Sequence, residues 1–333
     1  MDYSGLTHNR AMKRILIVGC GDIAMRVVPL LQGRYQLLGL ARRTERFAKL
    51  RAMGITPLLC DLDDRASLVR IAGLADVVLH FAPPFTAQRK QRPPLLPLGE
   101  AGAEERRLVT AERESDARTR NLLSVLSRGK LPEHLIYIST SGVYGDCGGI
   151  QMSETYPLNP QTARAQLRVN AEQQIRSWAK RNHVNASILR VPGIYAVDRL
   201  PLDRLRAGTP NIAAIDDSFT NLIHADDLAR IVVAVLRYAK PNRVYHASDG
   251  NGIKMGDYFD AVADTFGLPR LPRLPRVEVE HAVSPMLWSF MNESRRLTNE
   301  RIKQELKVKL CYPTVVDALA SIRKTDYQTL GNA

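Results

Sequence analysis

The chain has 333 residues, 45% of them hydrophobic, which supports a substantial core in one large or two modest domains. No apolar run reaches the length of a membrane span, and the first nine residues lack the basic start and apolar block of a secretion signal, so a cytoplasmic protein is expected. The net charge is +13, but bases alternate with acids in Glu104–Arg107 and Glu112–Arg118 and aromatics are only 6%, which argues against nucleic-acid recognition.

The first element is a short apolar strand from Arg14, broken by Gly19 and Gly21 before a helix with apolar residues at Ile23, Val27, Val28, Leu30 and Leu31. Gly19 permits a sharp turn, Gly21 removes a side chain where a phosphate must approach, and small Ala24 lets helix pack on strand. Gly19, Cys20, Gly21, Asp22 and Ile23 thus read as a pyrophosphate cradle at a helix N-terminus. Gly33 stops the helix. Cys20 is expected to be a small, inert side chain within the turn. The four cysteines, Cys20, Cys60, Cys147 and Cys311, have no paired spacing, so neither a metal site nor a disulfide framework is expected.

A second strand, Gln36 to Leu40, leads to Ala41-Arg42-Arg43. An NAD site places a carboxylate here, about twenty residues beyond the glycines. Two guanidinium groups instead suit the 2′-phosphate of NADP, which favours NADP over NAD; the alternative is that Arg42 and Arg43 open a solvated helix.

A third strand, Ile55 to Cys60, ends at Asp61-Leu62-Asp63. Asp61 is placed to accept a hydrogen bond from an adenine amino group, with Leu62 beside it, while Asp63 is placed to cap a short helix, Arg65 to Ala72. The strand Val77 to Phe81 brings Phe81, Ala82 and Pro83 to the same crevice. Residues 84–112 then interrupt the pattern with Pro-Pro pairs and basic runs, either as a substrate-side lid or as a surface loop.

Helix Ala117 to Ser127, strand Leu135 to Ile138, helix Thr162 to Arg181 and strand Ala186 to Arg190 resume the alternation. The second half adds helix Asp226 to Tyr238, strand Val244 to His246, helix Met255 to Phe266 and a basic segment, Ser294 to Leu306. The expected fold is α/β: a Rossmann-like doubly wound parallel sheet in residues 13–195, then a smaller C-terminal α/β substrate-side portion, 196–330, with some elements returning to the main sheet.

Ile138-Ser-Thr-Ser-Gly-Val-Tyr-Gly145, Arg190-Val-Pro-Gly-Ile-Tyr195 and Asn221-Leu-Ile-His-Ala-Asp-Asp-Leu-Ala229 resemble landmarks of the extended short-chain dehydrogenases/reductases, the nucleotide-sugar epimerase and dehydratase group. Asn159-Pro160, Glu172 and Ser294-Arg-Arg-Leu-Thr-Asn299 resemble its YeeZ-type branch. The resemblance implies a dinucleotide domain closed by a substrate-side portion, Ser139 as a cofactor contact, Thr140 and Tyr144 facing the nicotinamide, and a homodimer paired through helices beside the sheet. It also implies a Tyr and a Lys four residues apart on the following helix, the first as proton acceptor. This chain has Arg164 and Arg168 there.

Arginine stays protonated and is no base at neutral pH. Arg168 can supply the lysine's charge beside the ribose and Arg164 can clamp a substrate phosphate or carboxylate, or both belong to a solvated helix face. Tyr144, Tyr195, His80 and His224 are the substitute bases within the motifs, with packing roles as the alternative, His224 and Asp227 fixing the loop between the two parts. Two functions remain open. One is an NADP(H)-binding oxidoreductase or epimerase/dehydratase-like enzyme acting on an anionic, phosphorylated or nucleotide-linked sugar-like substrate; the other is a catalytically inactive NADP(H)-binding sensor or scaffold.

Overall fold

The computed structural model describes residues 12–84 and 115–322. Seven strands form one sheet: β1 (Arg14–Val18), β2 (Gln36–Ala41), β3 (Ile55–Leu59), β4 (Val77–His80), β5 (His134–Thr140), β6 (Asn185–Val191) and β7 (Arg243–His246). Every pair is parallel and the order is β7-β6-β5-β4-β1-β2-β3, so the winding reverses between β1 and β4. At that reversal the loops after the two strands diverge, and the crevice between them opens at the carboxyl edge.

Parallel strands are covered on both faces, which is why β1 and β4 are almost continuously apolar. On one face lie α1 (Asp22–Leu31) and, from the second half, α5 (Ala225–Tyr238). Ala24, Val27, Val28 and Leu31 form a single buried stripe on α1 and meet Leu228, Ile231, Val232 and Val235 of α5. Between β2 and β3 lies α2 (Phe47–Ala52). The other face carries α3 (Ala117–Leu126) and α4 (Ala163–Asn182), whose Leu122, Val125, Ala171, Ile175 and Trp178 pack on Leu16, Val78 and Tyr137.

The segment expected as a helix at 65–72 is a 3-10 turn, Ser67–Ile71. Its two buried residues, Leu68 and Ile71, are three apart, which matches three residues per turn. The cap falls one residue later than expected, because the Asp64 carboxylate, not that of Asp63, accepts the Ala66 N–H at 3.0 Å.

Residues 85–112 of the expected insertion lie outside the described residues. α5 and β7 of the second half join the main sheet, whereas the rest builds a layer of short pairs: Leu222–His224 on Gly193–Tyr195, Phe219–Thr220 on Ile253–Lys254 and Arg296–Leu297 on Gln151–Met152. A separate core of Tyr195, Leu222, Tyr258, Phe259 and Val262 supports that layer.

Candidate functional site

At the end of β1, Gly19 sits at φ +102°, a left-handed conformation open to glycine. A Cβ there would stand 2.5 Å from the Ala82 amide nitrogen. Phe81 and Ala82 both donate their N–H groups to the Val18 carbonyl, at 2.8 and 2.9 Å, which presses the loop after β4 against the turn. Gly21 precedes α1 without a side-chain cap, and a Cβ on it would meet nothing within 4 Å. The first helical amides, those of Asp22 and Ile23 among them, therefore face open space with the positive end of the helix dipole. These residues fit a dinucleotide pyrophosphate.

The surroundings refine that cradle. Burial pushes the Cys20 thiol up to about 11, so it is unreactive at neutral pH, and Arg46 donates to the Cys20 carbonyl at 2.8 Å. Burial raises the Asp22 carboxyl, but Arg199 and Arg26 outweigh it and hold the group below its ordinary range; Arg26 also reaches Asp198 and Asp226. Ion pairs thus neutralise the acid at the start of α1. Arg42 and Arg43 are exposed directly after β2.

Asp61 is half-buried and accepts the Asp63 N–H at 3.0 Å, and buried Leu62 accepts from Asn121 through its carbonyl. Asp63 is held by Arg118 in a two-pronged ion pair, at 2.8 and 2.6 Å. Phe81 and Ala82 are half-buried and Pro83 is exposed.

Thr140 ends β5 and lines a cavity of about 310 Å³. Its Oγ1 accepts the Gly142 N–H at 3.2 Å, which leaves its own proton for a ligand. Arg164 lines the same cavity, its guanidinium 4.2 Å from the Phe290 ring centroid. Arg168, one turn further along α4, points at the sheet and donates to the Ile138 carbonyl at 2.6 Å and the Tyr137 hydroxyl at 3.1 Å.

Two side chains, Tyr144 expected at the nicotinamide and Ser139 expected as a cofactor contact, face elsewhere. Tyr144 is fully buried, with its hydroxyl between Arg190 at 2.7 Å and His246 Nε2 at 2.6 Å. Because His246 Nδ1 faces the Thr298 carbonyl at 2.9 Å and must donate, Nε2 accepts the tyrosine proton. Burial pushes this phenol up to about 12, so Tyr144 neither reaches the nicotinamide side nor acts as a base. Ser139 is also buried and donates to Glu172 at 2.6 Å, within an ion pair that Glu172 makes with Arg190 at 2.7 Å. Its side chain is spent on the core and offers nothing to a cofactor.

The remaining candidate bases have partners of their own, although Tyr195 also lines the Thr140 cavity. His80 is buried, pushed down to about 3 by burial, and paired with Thr119 at 3.0 Å. Tyr195 donates to the Thr314 carbonyl at 3.3 Å. His224 caps α5, and Asp227 accepts the N–H groups of Cys311 and Tyr312, clamping the C-terminal segment.

The structure adds to the cavity Arg204 and Glu293, which no motif signalled, and Arg295, which lies in the Ser294–Asn299 landmark but carried no expected site role. Glu293 pairs with Arg295 at 2.6 Å. Arg204 lies 4.1 Å from the Phe259 ring centroid and binds Asn211 Oδ1 at 2.7 Å, while its Nε is buried with no partner among the described residues. Burial lowers both Arg164 and Arg204, the latter to about 10, and neither has a carboxylate in ion-pair range among the described residues.

Known proteins resemble this chain in sequence and fold. An uncharacterized protein, C2A9.02, of Schizosaccharomyces pombe is 25% identical over 325 residues, 92% of this chain and 98% of its own. A functionally unknown conserved protein from Silicibacter pomeroyi superposes with a TM-score of 0.68 at 25% identity, over 96% of this chain and 99% of that one. The Bacillus cereus UDP-glucuronic acid 4-epimerase, in complex with UDP-glucuronic acid and NAD, superposes with a TM-score of 0.68 at 17% identity over 96% and 99%. Residues 15–247 match the family model. With that match over most of its length, and with the extended short-chain dehydrogenase/reductase architecture around the glycine cradle, this chain belongs to the NAD dependent epimerase/dehydratase family.

Proposed function

We propose that the protein is an NADP(H)-binding oxidoreductase or epimerase/dehydratase-type enzyme acting on an anionic, phosphorylated or nucleotide-linked sugar-like substrate. The observation that carries this reading is a single cavity in which Thr140 keeps a free hydroxyl proton and two guanidinium groups, Arg164 and Arg204, lack a carboxylate. Desolvated, unpaired cations demand an anion, and an arginine fork matches phosphate or carboxylate. The UDP-glucuronic acid of the Bacillus cereus epimerase is a ligand of that chemistry.

Hydride exchange is the chemistry a bound nicotinamide supplies. Thr140 donates to the substrate oxygen, Arg164 holds its anionic group, and Arg168, fixed on the Ile138 carbonyl, keeps a permanent charge in the slot where the family resemblance implies a lysine. Exposed Arg42 and Arg43 supply the 2′-phosphate contacts that make NADP the preferred cofactor.

A second reading, a sensor or scaffold that binds NADP(H) without turnover, is favoured by Arg164 and Arg168 in the Tyr and Lys slots and by the burial of Tyr144. Replacing Arg42 and Arg43 together by Ala is expected to weaken NADP about tenfold or more while changing NAD about twofold at most, measured by calorimetry. Equal losses overturn the 2′-phosphate reading. NADPH absorbance followed across a panel of nucleotide sugars and small carbonyls separates the two functions, since binding with no turnover leaves the sensor.

A further inference from the structure

We infer that a basic groove beside α1 and α5 is a docking site for an acidic peptide segment of a partner protein, one that also carries apolar side chains. The bases are dispersed along the chain, and the fold gathers five of them. Arg34 follows the end of α1, Arg230 and Arg237 lie on α5, and Lys307 and Lys309 belong to the segment after the short helix Glu300–Gln304. All five line one cavity of about 370 Å³ with no aspartate or glutamate in its wall among the described residues. Only Arg230 has a carboxylate in ion-pair range among the described residues, Asp227 at 3.1 Å. Proximity to a helix C-terminus accounts for Arg34 and Arg237 one at a time, but not for two lysines that a third segment brings to the same wall. Lys307 does so at φ +57°, a left-handed conformation that strains a side-chain-bearing residue.

Beneath these charges the groove is apolar. On α5, Arg230, Val233, Ala234, Arg237 and Tyr238 are three and four positions apart and share one face, so half-buried Val233 and Ala234 lie between the two arginines. In the third segment Leu306 and Val308 pack on the core, whereas Lys307 and Lys309 alternate with them and stay exposed. Leu30, 40% exposed, and Tyr238, 53% exposed, complete the wall. The groove runs on along Lys307–Lys309 into a second cavity of about 520 Å³ that adds Lys303, Leu310 and Pro313, and the acid there, Asp249, is buried.

A cationic rim over an apolar floor selects the occupant. Cations left without acids repel one another and draw an anionic partner, while exposed apolar surface is stabilised by being covered. A peptide whose carboxylates are interspersed with apolar side chains satisfies both. A nucleic-acid backbone satisfies the rim and leaves the floor bare, and a bilayer surface is too flat to enter a groove.

The test follows the fluorescence anisotropy of a labelled peptide of four Glu-Leu-Glu repeats titrated with the full chain. Saturating NADP is present, so that the dinucleotide crevice does not compete and the result is separate from the cofactor reading. Arg237→Glu combined with Lys309→Glu is expected to weaken binding about tenfold or more. Lys180→Glu combined with Arg181→Glu, the same change of net charge on α4, is expected to change it about twofold at most; all four side chains are exposed. An all-glutamate peptide of equal length carries more charge but is expected to bind at least about fivefold more weakly, because it leaves the floor uncovered. No binding by the wild type, or equal losses in the two double variants, overturns the site. An all-glutamate peptide or a single-stranded oligo(dT) that binds as tightly as the mixed peptide overturns the assigned partner.

Discussion

Gly19 and Gly21 stand two positions apart and do different work, which makes them separable by substitution. Gly19 combines φ +102° with backbone atoms of Phe81 and Ala82 in the space a Cβ would take, and backbone cannot swing aside. Gly19→Ala is expected to cost about 1–3 kcal/mol in urea unfolding and to weaken dinucleotide binding with it. Gly21 has an ordinary φ of −88° and open space before it. Gly21→Ala is therefore expected to unfold within about 0.5 kcal/mol of the wild type and still lose dinucleotide affinity, since the methyl group enters only the ligand's volume. A Gly21→Ala protein with full affinity would show that no phosphate approaches that backbone. The glycine turn was legible in the sequence because its constraint is local. The fate of Tyr144 was not, because its partners Arg190 and His246 are 46 and 102 residues away.

Among the elements, α4 shows how one helix joins cavity to core. Arg164, Arg168 and Glu172 recur every four residues and share a face toward β5 and β6. Arg164 meets the cavity, Arg168 the Ile138 carbonyl, and Glu172 a buried cluster with Ser139 and Arg190. The period identified the helix and the four-residue spacing placed the two arginines in the Tyr and Lys slots. It could not reveal that the third step is an ion pair, since Arg190 arrives from β6 through the parallel register of β5 and β6. Glu172 is 1% exposed and Arg190 3%, so removing one partner leaves the other charged and desolvated. Glu172→Gln is expected to cost about 3–5 kcal/mol in urea unfolding at pH 7, far more than a surface pair. A loss under about 1 kcal/mol would mean that Tyr144 and the Glu154 carbonyl, both bound to Arg190, satisfy it without the carboxylate.

At the scale of the whole molecule, the central sheet has an acid-sensitive core. His80 on β4, His134 on β5 and His246 on β7 are pushed by burial down to about 3, 4 and 3, and each is tied to a neighbour, Thr119, Ser187 and Tyr144 respectively. Near pH 5 the unfolded chain protonates all three while the folded chain leaves them neutral, so they make stability fall as pH drops below about 6.5. Asp249 works in the opposite sense. Burial raises it to about 7, so the folded chain holds that proton where the unfolded chain has lost it, and this contribution grows as pH falls from about 7 toward about 4. Among these four groups, the three histidines favour the unfolded state near pH 5 and Asp249 alone opposes them. Asp249→Asn preserves an acceptor for the Asn251 N–H while removing the charge. Urea unfolding at pH 5, 6 and 8 is expected to show the variant more stable than the wild type at pH 8 and steeper in its loss toward pH 5, because the opposing proton is gone. Parallel profiles for the two proteins would show that Asp249 titrates alike folded and unfolded, and that its carboxylate reaches water in the native state.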